Sequence, residues 1–286
     1  MLNLILAIVF SSGNSLIMKS AETRTRNKVS LLLVNYVVAV LFGSTLIARS
    51  ISAAGEAGAP ELGRVPVLAL INGAFYVSTF LLLQLNIKKN GATISASLSH
   101  MGLVIPVLLS VVVFGESPNV CQGIGVACAI VSLSVISWPG KITSRSHADS
   151  RFRWLLIPML ISGGMADMMS KVFETACDHA LEDFFLSGTF VSALVICAIA
   201  FLVSRERINR WDIFYGIALG VSNYLSTKFL VRAIYDVPAF MAYITYGLGV
   251  VVFINVVNVV VLHEKLGRRD YIGMVLSAAA ILLLNL

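Results

Sequence analysis

The chain has 286 residues, of which 58% are hydrophobic and only 13% charged, and its mean hydropathy is +0.89. Soluble domains carry about 25% charged residues, so this composition excludes a fully solvated surface and points to a lipid bilayer. The net charge of +6 resides in short Lys and Arg clusters between apolar runs, the pattern of membrane topology and not of a nucleic-acid-binding face.

In chain order, ten apolar runs have the length of a transmembrane helix, at residues 2–18, 29–48, 65–86, 92–114, 119–137, 152–172, 184–203, 211–231, 239–262 and 269–285. The first lacks the positive region that opens a signal peptide, since Asn3 is the only polar residue before Ser11, and it reads as a mature helix. Pro60, Pro66, Pro118, Pro139 and Pro238 fall at or beside span ends, where a missing N–H costs least. Pro106 and Pro158 lie inside spans and should bend or loosen them. Ser117-Pro118 reads as an N-cap followed by Pro at the first helical position of the fifth span. No connection is long enough for a separate soluble domain. Cys121, Cys128, Cys177 and Cys197 have no metal-ligand spacing and read as small buried hydrophobes, so neither metal nor cofactor is expected.

The cationic residues are unevenly shared between the two sides. Sixteen of the 21 follow odd-numbered spans: Lys19, Arg24, Arg26 and Lys28; Lys88 and Lys89; Lys141, Arg145, Arg151 and Arg153; Arg205, Arg207 and Arg210; Lys265, Arg268 and Arg269. The other five are Arg49, Arg64, Lys171, Lys228 and Arg232. The positive-inside rule places the sixteen in the cytoplasm and both termini outside, in a cell (inner) membrane.

A shift of 148 residues superimposes Tyr76-Val77-Ser78-Thr79 on Tyr224-Leu225-Ser226-Thr227, Leu82 on Leu230, Glu116 on Glu264, Gly125 on Gly273 and Ala129 on Ser277. Five spans per copy is an odd number, so the copies cross the bilayer in opposite senses. The sequence thus predicts an all-α membrane protein of ten transmembrane helices, as two inverted five-helix repeats (1–140 and 141–286) forming one integral membrane unit. Inverted repeats of this kind are a transporter's architecture.

The junction Pro106…Phe114-Gly115-Glu116-Ser117-Pro118…Gln122-Gly123-Ile124-Gly125 is echoed by Leu262-His263-Glu264-Lys265-Leu266…Asp270-Tyr271-Ile272-Gly273. With the span count, it resembles the ten-helix EamA-like branch of the drug/metabolite transporter superfamily. The resemblance implies a carrier of organic metabolites, with cytoplasmic termini, against the charge count.

Candidate site residues cluster on few spans. Tyr224, Lys228 and Arg232 recur every four residues and form one stripe, whose repeat mates are Tyr76, Phe80 and Gln84, with Asn72 one turn earlier. Asn72, Tyr76, Phe80, Asn223, Tyr224, Lys228, Tyr243 and Tyr246 are the expected substrate-binding residues. The stripe also reads as snorkelling side chains, and the tyrosines as packing residues. Asp167, Lys171 and His100 are the coupling candidates, because intramembrane carboxylates and histidines serve proton relays; a neutralising Asp167–Lys171 pair within one helix is the structural alternative. Glu116 is expected to tie helix ends and loop amides together. Small residues at Gly216–Gly220, Gly125–Ala129 and Gly273–Ser277 have the spacing of close helix contacts.

These features favour secondary transport of an amino acid or organic anion, because Lys171, Lys228 and Arg232 repel cations. Proton-coupled export of lipophilic cations is the alternative, with Asp167 as its acid. An intramembrane enzyme is disfavoured. Tyr235-Asp236 with Gly247-Leu248-Gly249 resembles an aspartyl protease but lacks the second acid, His263-Glu264 has Gly267 where a zincin needs histidine, and no G-x-S-x-G occurs. The expected partners are a small-molecule substrate and the bilayer, with no nucleic acid, for a monomer or homodimer.

Overall fold

A computed structural model describes residues 1–21, 24–25, 28–54, 59–90, 95, 99, 101–137, 150–204, 207–261, 263 and 267–286. Among them there are ten α-helices and no strand: α1 (Leu2–Ala21), α2 (Lys28–Ala54), α3 (Ala59–Asn90), α4 (Val104–Val112), α5 (Val120–Ser137), α6 (Leu156–Ala176), α7 (Glu182–Ser204), α8 (Arg210–Asp236), α9 (Ala239–Val260) and α10 (Arg268–Leu284). Helices dominate because in lipid a backbone must satisfy its own N–H and C=O groups.

Six segments are long and apolar enough to cross a membrane: Leu2–Ala21, Lys28–Ile47, Gly63–Ile87, Phe152–Ala176, His179–Ser204 and Ala239–Val260. Helix α8 has the length, roughly 40 Å at 1.5 Å per residue, but Asn223, Lys228 and Arg232 lower its hydropathy. Large apolar side chains face outward, with Leu202 73% and Val275 70% exposed, while Asn35, Asn72 and Asn86 are fully buried. That distribution suits a surface wetted by hydrocarbon, and the chain is a multi-pass membrane protein.

Local chemistry sets the helix starts. In α5, α8 and α10 a side chain at the third helical position turns back to the N-cap amide. Gln122 Oε1 accepts from Asn119 N at 3.0 Å, Asp212 Oδ2 from Asn209 N at 2.9 Å, and Asp270 Oδ2 from Gly267 N at 2.9 Å. The cap of α5 is therefore Asn119, not Ser117, because Asn119 Oδ1 also accepts from Gln122 N at 2.8 Å.

Two prolines expected to bend spans lie instead in first turns, where no intrahelical N–H bond is lost. Pro158 is the third residue of α6, behind a 3₁₀ turn at Ser150–Leu155, and Pro106 is the third residue of α4. The break before Pro106 sits at Gly102-Leu103, where Ile105 N donates to the Gly102 carbonyl at 3.1 Å. Conversely, Pro66, expected at a span end, lies inside α3, which begins about one and a half turns before the apolar run.

The chain divides into two compact units. One comprises Met1–Val77 and Met169–Asp236, the other Ser78–Met168 and Val237–Leu286, so the divisions at 77/78 and 168/169 fall within α3 and α6. In the first unit α8 packs on α1 and α2, and α2 on α7. A methyl group at Gly220 would lie 2.6 Å from the Asn35 carbonyl oxygen, so α2 and α8 touch backbone to backbone, as the small-residue spacing predicts. In the second unit α5 packs on α10 and α4 on α9. There Ser132 Oγ donates to the Gly273 carbonyl and pairs with Ser277 Oγ, both at 2.8 Å.

Candidate functional site

The first unit holds a charged and polar cluster built from α7 and α8, with α2 and α3 beside it. Position follows from helical period: Tyr224, Lys228 and Arg232 lie on one stripe of α8, with exposure rising towards its C-terminal end. Tyr224 is fully buried and Lys228 7% exposed, whereas the Arg232 side chain is 43% exposed.

Each cation meets an acid from the first turn of α7. Lys228 Nζ lies 2.5 Å from Asp183 Oδ1, and Tyr224 Oη donates to the same oxygen at 3.3 Å. Arg232 Nε donates to Glu182 Oε1 at 3.0 Å and to Oε2 at 3.3 Å. Asp183 and Glu182 are functional candidates that the sequence reading did not single out. Two adjacent acids at a helix start have an ordinary explanation in the helix dipole, which conceals them. The available signal was their position at the start of the seventh span, on the side of the membrane to which the charge count assigns Lys171, Lys228 and Arg232.

Around the ion pairs runs an aromatic and amide lining. Phe190 packs on Tyr36, Tyr76 and Tyr224, with ring centroids 6.4, 6.0 and 5.6 Å away, and Phe42 meets Tyr224 edge-on at 5.5 Å. Tyr76 Oη and Thr227 Oγ1 share a hydrogen bond of 3.2 Å. Asn72 Nδ2 donates to Thr189 Oγ1 and Asn223 Nδ2 to Asn35 Oδ1, both at 3.4 Å. Asn72 Oδ1 and Asn35 Nδ2 are buried without a partner among the described residues, a state that costs about 1–3 kcal/mol per group. Thus Asn72, Tyr76, Asn223, Tyr224 and Lys228 come together in one unit, joined by Phe190, Thr189, Thr227 and Asn35.

The remaining expected residues are placed elsewhere. Lys171 belongs to the first unit and pairs with Glu174 at 2.8 Å on its own helix. Phe80, Asp167, Tyr243 and Tyr246 belong to the second unit. There Tyr243 Oη donates to the backbone carbonyl of Asp167 at 2.8 Å, and the Asp167 carboxylate has no hydrogen-bond partner among the described residues. His100 and Glu264 lie outside the described residues.

Glu116 does what its position at the α4–α5 junction suggests. Gly115 takes φ +68°, a left-handed conformation that suits glycine. The Glu116 carboxylate then caps the start of α9, accepting from Ala239 N at 2.9 Å and Phe240 N at 3.0 Å, with Ser110 Oγ as a further donor. A carboxylate on free helix N–H groups is the favourable end of the helix dipole.

Comparison with known proteins agrees with this architecture. Residues 1–138 match the EamA-like transporter family. An uncharacterized protein of Haemophilus influenzae is 21% identical over 285 residues, covering 98% of this chain and 96% of its own. A crystal structure of a further protein has the same fold, with a TM-score of 0.72 at 13% identity over 99% of this chain and 94% of that one. The match over residues 1–138 bears out the resemblance to the drug/metabolite transporter superfamily read from the sequence.

Proposed function

We propose that this protein is a secondary active transporter of a small organic metabolite carrying a carboxylate, an amino acid or an organic anion. Its two sequence repeats are inverted and give access to the two sides of the membrane alternately. The observation that carries this reading is Lys228. It is a buried ammonium on α8 with three N–H donors and one hydrogen-bond acceptor, Asp183 Oδ1, among the described residues. Tyr224, Thr227 and Asn223 add further polar groups on the same stretch of helix, and intramembrane charges of this kind mark substrate paths. The proposal places the chain in a cell (inner) membrane with both termini outside.

The test is a ligand-induced thermal-shift screen of the purified protein against amino acids, organic acids, sugar phosphates and quaternary amines. Stabilisation by carboxylate-bearing ligands is expected, and its loss in Lys228→Met would tie it to the ammonium. A response to hydrophobic cations alone overturns the reading. One observation favours that second reading, export of lipophilic cations: the Asp167 carboxylate of α6, which has no hydrogen-bond partner among the described residues. It requires Asp167→Asn to remove the cation response.

A further inference from the structure

The anchor proposed for an anionic substrate is already held by an anion of the protein itself. We infer that Asp183 is a proton-coupling site, taking up one proton each time a substrate carboxylate displaces it from Lys228. The inference rests on the reading of Lys228 as the substrate's anchor.

Three features of the geometry support it. First, Asp183 Oδ1 receives both Lys228 Nζ and Tyr224 Oη, while Oδ2 has no partner among the described residues. The Asp183 side chain keeps 13% of its surface exposed, so a proton from water has a free oxygen to reach. Second, Lys228 has donors to spare, which lets an incoming carboxylate bind before Asp183 leaves. Third, the adjacent pair is not equivalent. Glu182 holds Arg232 through both oxygens, and a guanidinium neither loses its proton nor swings away as freely as a lysine. The exchangeable pair is therefore the one between Lys228 and Asp183.

Charge balance dictates the rest. Before exchange, the carboxylate of Asp183 and the ammonium of Lys228 sum to zero. Adding a substrate carboxylate would leave one uncompensated negative charge in a low-dielectric interior, where isolated charges are strongly penalised. An O–H bond forms at Asp183 Oδ2 as an O–H bond of a solvent hydronium ion breaks and leaves water, the Lys228 contact passes to the substrate carboxylate, and the site returns to zero. Nothing is oxidised or reduced, and no other covalent bond changes within the protein. One anion and one proton cross together.

The groups facing Asp183 leave it as the acid open to exchange. Glu182 is its neighbour on α7, and α8 presents Tyr224, Lys228, Arg232 and Tyr235. His179 stacks on Tyr235 at 3.8 Å, α6 brings the Lys171–Glu174 pair, α2 offers Phe42 against Tyr224, and α3 offers Tyr76 against Thr227. Glu182 is bound on both oxygens, and of the two acids Asp183 is the one with an unengaged oxygen among the described residues.

The experiment uses the purified full chain with lactate, pyruvate, benzoate and N-acetylglycine as monoanionic probes. Titration calorimetry in buffers of different ionisation enthalpy counts the protons taken up per anion bound. Wild type should take up about one at neutral pH, and affinity should fall about tenfold per pH unit on the alkaline side. In Asp183→Asn proton uptake should vanish and affinity should lose that pH dependence. In proteoliposomes, a pH gradient should drive the wild type with no response to membrane potential, and Asp183→Asn should show the reverse. Because Asp183→Asn could fail to fold, the wild-type proton count decides independently. Anion binding without proton uptake, or a pH dependence unchanged in Asp183→Asn, overturns the coupling while leaving the transporter reading intact. No binding of any of these carboxylates, with hydrophobic cations binding instead, overturns both.

Discussion

Lys228 Nζ lies 2.5 Å from Asp183 Oδ1, across 45 residues of sequence, and both side chains are largely buried. An ammonium without a counter-charge could be removed with little effect on stability, but this one is paired. Removing one member of a buried pair strands the other, at a cost of about 3–5 kcal/mol. Lys228→Met should therefore abolish transport and lower the melting temperature by several degrees. Adding Asp183→Asn should recover most of the melting temperature and none of the transport. Phe80→Ala, at the equivalent position of the first repeat, removes ring contacts only and should weaken transport less and less selectively. An unchanged melting temperature in Lys228→Met would show that the pair is not held in the folded protein.

Glu116 predicts a local effect on α9. Its carboxylate accepts from two backbone amides at the helix start, and losing a cap costs about 0.5–2 kcal/mol. Glu116→Ala should lower stability by about that amount and speed hydrogen exchange at Ala239 and Phe240. Exchange rates that match the wild type at those amides would place the cap elsewhere.

Gly220 tests the contact between α2 and α8. A methyl group there meets the Asn35 carbonyl oxygen at 2.6 Å and Val38 Cβ at 2.7 Å, so the helices must separate to admit it. Gly220→Ala should destabilise by about 1–3 kcal/mol, the usual cost of overpacking. A neutral result would mean that the helices approach less closely in the bilayer.

Orientation is testable by labelling single cysteines in a background lacking the four native ones. Sixteen of 21 cationic residues on one side predict that a probe at Arg207 is protected in intact cells and one at Asp178 is labelled from outside. The opposite result would favour the cytoplasmic termini that the family resemblance implies.

The sequence by itself determined the elements. Apolar runs of bilayer length marked where the ten described helices form, six segments of which are long and apolar enough to cross a membrane, because in hydrocarbon a backbone must satisfy its own polar groups. It also placed Tyr224, Lys228 and Arg232 on one stripe, since helical period is a local property. Helix starts were less legible: Asn119 caps α5 through reciprocal hydrogen bonds with Gln122, and Pro158 falls in the first turn of α6, behind a 3₁₀ turn. What only the tertiary structure decided is which groups meet. Asp183 and Lys228 are 45 residues apart, Asn72 and Thr189 are 117 apart, and Glu116 and Ala239 are 123 apart. Such pairings depend on how helices pack and not on the period of either helix. A pattern read along one chain segment therefore shows which face a charge occupies, and packing alone shows what answers it.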